Sequence, residues 1–179
     1  VGAVIAGHTW TALALLLLNR LCDGLDGAVA RLTGPTPRGA FLDIALDFAF
    51  YALLPLGFAI ADPAQNALPA AVLIAAFVGT GSSFLAFSVI AAQQGRTAAD
   101  YPTKGIYYLG GLTEGAETIA LFVLVCLFPA WFAPLAYLFA AACAVTTLTR
   151  WHAGWTAFAT APITPDAMPG TRQNTCRNT

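Results

Sequence analysis

The stretch Asp23–Asp47 reads DGLDGAVARLTGPTPRGAFLDIALD, and the rest of the chain is organised around it. Four carboxylates (Asp23, Asp26, Asp43 and Asp47) stand here with Arg31, Arg38 and several glycines, inside a sequence that is otherwise apolar. Charge at the edge of a membrane is expensive and marks a functional hypothesis. Asp23 and Asp26 are three apart and Asp43 and Asp47 four apart, so within helices each pair lies on one face. Between them Thr33-Gly34-Pro35-Thr36-Pro37 stops a helix and turns the chain. Two such pairs brought together by a turn would form an oxygen-rich cage suited to hard divalent cations.

Working outward, 58% of the 179 residues are hydrophobic and only 9% are charged, with a mean hydropathy of +0.71. A soluble domain carries roughly 25% charged residues, so this chain cannot clothe a water-exposed surface. The expectation is an all-α, polytopic transmembrane helical bundle. No basic patch with interleaved aromatics is present, which argues against nucleic acid. The cysteines (Cys22, Cys126, Cys143, Cys176) have no metal spacing and read as small hydrophobes. The chain begins on Val1 without a leader signature, from which an N-terminally truncated domain is expected.

Five apolar spans are expected, over 3–22, 39–61, 68–92, 106–128 and 134–150, with a polar turn at 62–66 and a polar loop at 93–104. Asp23 and Asp26 end the first span and Asp43 and Asp47 open the second. Trp151 and Trp155 fall just beyond the fifth, as interfacial aromatics do. A transmembrane domain over 1–158 and a disordered polar tail over 159–179 follow. If the spans alternate, all eight Lys and Arg lie on one side and Asp62 is the lone charge opposite. The positive-inside rule then places the aspartates on the cytoplasmic face.

Gly27 and Ala30 lie four residues after Asp23 and Asp26, keeping that face low beside the carboxylates. Four clustered carboxylates repel one another, and bound cations relieve that repulsion. Magnesium pairs one or two carboxylates with substrate phosphates, which makes a phosphate or pyrophosphate the natural third party, with Arg31 and Arg38 able to hold further oxygens. Helix capping and pairing with arginines would account for one or two of these aspartates, not for four in facing pairs.

Asp23, Asp26, Gly27, Ala30, Arg31, Gly39, Asp43 and Asp47 fill every position of D-x-x-D-G-x-x-A-R, seven residues, G-x-x-x-D-x-x-x-D. That pattern resembles the signature of the CDP-alcohol phosphatidyltransferase family (class I). The resemblance implies transfer of a phosphatidyl group from a CDP-linked alcohol, foremost CDP-diacylglycerol, to an acceptor alcohol with release of CMP, in phospholipid biosynthesis. It implies Asp23, Asp26 and Asp43 as ligands of two Mg²⁺ (or Mn²⁺) ions, and Asp47 as general base that also touches metal. Gly27, Ala30, Arg31 and Gly39 would receive the CDP moiety. The family fold implies six membrane helices, one more than the five visible, and a homodimer among membrane lipids.

Outside the motif, Lys104–Glu117 (KGIYYLGGLTEGAE) is the next informative run. Lys104, Glu114 and Glu117 are candidates for binding the acceptor alcohol. Against that stands an ordinary role for acids at a helix N-terminus, with Tyr107 and Tyr108 as interfacial anchors. His8, His152, Ser82 and Ser83 have no ligand or triad spacing and are expected to be structural. Two competing functions use similar residues. An ion- or proton-coupled transporter would spread acids through span centres, whereas here they cluster at one membrane face. A prenyl-diphosphate enzyme would be largely soluble with denser acidic motifs.

Overall fold

The computed structural model describes residues 1–34, 36–94, 113 and 115–159, without the side chains of Ala30, Arg31 and Thr33. Its elements in order are α1 (Gly2–Ile5), α2 (Thr9–Thr33), α3 (Pro37–Ala61), α4 (Pro63–Gln93), α5 (Gly115–Leu127), a 3₁₀ turn (Pro129–Trp131) and α6 (Phe132–Ala157). No strand occurs among the described residues, and the chain is an all-α membrane bundle. Among those residues three helices are long and apolar enough to cross a membrane: α3, α4 and the stretch Pro129–Ala157. The loop residues 95–104, the run 105–112 and the tail from 160 onward lie outside the described residues.

The break between α2 and α3 stands where the sequence places it. Gly34 takes φ +91°, a left-handed conformation that favours glycine. Thr36 then caps α3: its Oγ1 accepts from the Gly39 N–H at 3.1 Å, and Pro37 fills the first turn where no N–H is required.

Three expected boundaries are corrected. The span 3–22 is not one helix, because Gly7 adopts φ +74° and separates α1 from α2. Asp23 and Asp26 do not end that helix either; α2 continues through them to Thr33, since no breaker intervenes before Gly34. The polar turn at 62–66 shrinks to one residue. Asp62 donates its N–H to Phe58 O at the end of α3 and accepts from Gln65 N–H at 3.2 Å to start α4. Asn66 Nδ2 donates to Phe58 O at 3.3 Å, so the polar residues at this corner satisfy helix ends instead of forming a loop. At the other end α6 runs on to Ala157, taking Trp151 and Trp155 into the helix as exposed residues.

α4 packs on α3 and α6, α1 on α3, and α2 mainly on α1 and α5. The core is aromatic. Phe58 stacks on Phe132 at 4.6 Å, and Phe122 meets Phe50, Tyr51 and Phe77 edge-on at 5.7–6.2 Å. α6 presents Ala136, Ala140 and Cys143, all buried, along one stripe. Small residues let helices approach closely in lipid, where burial of apolar surface gives no driving force. Large side chains such as Leu138, Phe41 and Leu68 face outward, as lipid-exposed surfaces require.

The tightest approach in the bundle is Gly81 of α4 against the Phe48 ring of α3, where a Cβ would overlap the ring. Gly81→Leu is expected to lower stability by about 1–3 kcal/mol through overpacking, read by thermal unfolding in detergent. Gly24, on the open face of α2, has nothing near a built Cβ. Gly24→Ala should therefore leave stability unchanged or raise it by up to about 1 kcal/mol.

Candidate active site at the start of α3

The two halves of the aspartate motif sit on different helices. Asp23, Asp26 and Gly27 occupy the C-terminal half of α2, while Gly39, Asp43 and Asp47 occupy the first turns of α3. Asp26 and Asp43 are exposed; Asp23 and Asp47 are each 37% exposed. Gly27 is half-buried, and a side chain at Gly39 would press on the Thr36 cap, 3.1 Å from its Oγ1. Ala30 and Arg31 lie on α2, their side chains outside the described residues.

What joins the halves is Arg20. Its Nη2 lies 2.5 Å from Asp23 Oδ2 on its own helix and 3.5 Å from Asp47 Oδ1 on α3. It also donates to Asn19 Oδ1 at 2.8 Å. The guanidinium carbon stands 5.4 Å from the centroid of the Phe50 ring, one turn beyond Asp47. The arginine, not a direct carboxylate contact, is thus the electrostatic link between α2 and α3. In the sequence Arg20 counts only as one of the eight basic residues on the side of the aspartates. Its position three residues before Asp23, on the same helical face, was the available signal.

Among the described residues no three His, Cys, Asp or Glu side chains lie close enough together to hold a metal ion. The donor chemistry nevertheless suits one. The motif supplies carboxylate oxygens only, the ligand type of Mg²⁺ and Mn²⁺, and it draws Asp23 and Asp47 towards the same cationic group.

Of the acceptor candidates, Lys104 and Glu114 lie outside the described residues. Glu117 is exposed in the first turn of α5. That end of α5 adjoins the motif helix: a Cβ on Gly115 would fall 3.4 Å from the hydroxyl of Tyr51, one turn past Asp47. A second polar locus was also missed. Cys143, Thr146, Thr147 and Arg150 form a buried stripe at helical spacing on α6. Arg150 Nη1 donates to Thr80 O of α4 at 3.2 Å, with its guanidinium 5.5 Å from the Phe84 ring centroid. Thr113, just before α5, bonds Thr146 through its hydroxyl at 3.2 Å. A positive charge used in the sequence only for topology is in fact buried between helices.

Comparison with known proteins agrees with the signature. The family model for CDP-alcohol phosphatidyltransferase matches residues 1–161. The "Inner membrane protein YnjF" of Escherichia coli (strain K12) is 60% identical over 149 residues, covering 83% of this chain and 72% of that protein. No solved structure matches. With a family match over nearly all of an all-helical membrane chain, and with the two motif halves facing one arginine, the chain belongs to the CDP-alcohol phosphatidyltransferase family.

Proposed function

We propose that this protein transfers a phosphatidyl group from a CDP-linked lipid alcohol, CDP-diacylglycerol foremost, to an acceptor alcohol, releasing CMP in phospholipid biosynthesis. The observation that carries the proposal is the meeting of the two motif halves: Asp23 of α2 and Asp47 of α3 reach one guanidinium, so carboxylates 24 positions apart share a locality. In the reaction the acceptor oxygen bonds to the phosphatidyl phosphorus, the pyrophosphate P–O bond breaks, and CMP leaves with the bridging oxygen.

Asp23, Asp26, Asp43 and Asp47 would hold two divalent ions. Such ions supply charge neutralisation for the pyrophosphate and its leaving group. Asp47 takes the acceptor's proton, a task that needs a carboxylate within hydrogen-bond reach of the hydroxyl. Gly27, Ala30 and Gly39 leave room for the nucleotide, and Arg31 pairs with its phosphates. Glu117, with Lys104 and Glu114, orients the acceptor. The catalytic face is cytoplasmic on a multi-pass protein, where CMP leaves into water and the bilayer delivers the lipid. The transmembrane domain extends over 1–158 and works as a homodimer.

CMP release from CDP-diacylglycerol, measured with Mg²⁺ across a panel of alcohols, is expected for at least one acceptor and is expected to stop with EDTA. Silence with every alcohol and every CDP-lipid from a folded sample contradicts the proposal. Asp47→Asn should lower turnover by at least about 10²-fold, the scale of general base catalysis, while CDP-lipid binding largely survives. Wild-type turnover in that variant removes the base from Asp47.

A further inference from the structure

We infer that Arg20 is the resident counter-ion of the Asp23–Asp47 pair, and that a divalent cation competes with it for those carboxylates. The inference rests on the divalent-ion reading of the motif. Three observations carry it. The same Nη2 contacts carboxylates on two helices, at 2.5 and 3.5 Å, where a bound cation would draw on the same oxygens. The guanidinium is seated by Phe50 and Asn19, and its side chain is only 24% exposed, so it is built into the seam between α2 and α3. Its buried Nε has no hydrogen-bond partner among the described residues, which is costly for a group that could donate elsewhere.

Removing the arginine while no metal is present leaves two carboxylates facing each other without neutralisation. A cation entering the wild-type site must first break the arginine contacts, which lowers its apparent affinity. Arg20 is therefore a positioning residue. It holds the two motif halves together until the metal is loaded, and is then released with its donors free.

Mn²⁺ binding, titrated by electron paramagnetic resonance in detergent without nucleotide, separates the outcomes. Arg20→Gln is expected to bind Mn²⁺ at least about fivefold more tightly than wild type. In EDTA its unfolding temperature should fall by roughly 2–4 °C, and the deficit should close at saturating Mn²⁺. Arg20→Lys keeps the charge but lacks the planar fork, and should change both quantities in the same direction by less. Equal or weaker Mn²⁺ binding by Arg20→Gln overturns the inference. So does a stability deficit that persists at saturating Mn²⁺, because the arginine would then remain paired in the loaded protein. Should Arg20→Gln not fold, unchanged Mn²⁺ affinity in Arg20→Lys is the overturning result. If wild type itself binds no Mn²⁺, the divalent-ion reading fails first and takes this inference with it.

Discussion

A charge cannot stay near the hydrocarbon of a membrane unless something answers it, and in this protein the answer at the motif is Arg20. The helices that carry the two halves find their main neighbours elsewhere: α2 packs on α1 and α5, α3 on α1 and α4. The ion pairs of Arg20 with Asp23 and Asp47 cross between them. With both carboxylates more than a third exposed, such pairs contribute little to stability, about 0–1 kcal/mol. Their consequence is geometric: they bring Asp23 of α2 and Asp47 of α3 to one guanidinium, while Asp26 and Asp43 stay exposed.

The scaffold beneath that place is set by close packing. Aromatic rings from α3, α4 and α5 interlock around Phe122, and the Phe58–Phe132 stack ties α3 to the start of α6. Where Phe48 follows Asp47, α4 supplies Gly81 so that the ring can lie against the backbone. The motif helix is thereby held against α4 through the residue next to Asp47. Polar groups deeper in the bundle obey the same rule as those at its edge. Thr80, Thr146 and Thr147 return their hydroxyls to carbonyls of their own helices, and Arg150 finds Thr80 O on α4.

Much of this was legible in the residues. The helix-stopping Thr33–Pro37 stretch, the apolar run of α4 and the i, i+3 and i, i+4 aspartate pairs all follow from local rules, and the structure follows them in outline. The boundaries that shifted did so for local reasons too weak to read beforehand. A lone Gly7 breaks a helix only by taking φ +74°, which glycine permits but does not demand. Asp62 can cap one helix and close another, and the sequence 62–66 reads equally well as a longer loop. Arg20 and Arg150 look alike on paper, as basic residues near span ends, yet one bridges two helices at the motif and the other is buried between α4 and α6.

Composition, helical period and motif spacing are local properties of the chain, so the residues alone were enough for the class of the molecule and its family, and they singled out the candidate carboxylates. Only the packing of helices could place Arg20 between Asp23 and Asp47, the start of α5 beside Tyr51, and Arg150 against Thr80 O and the Phe84 ring of α4. Each is a contact between helices. Which faces meet depends on how small residues and aromatic rings allow the helices to approach, and that is a property of several segments at once.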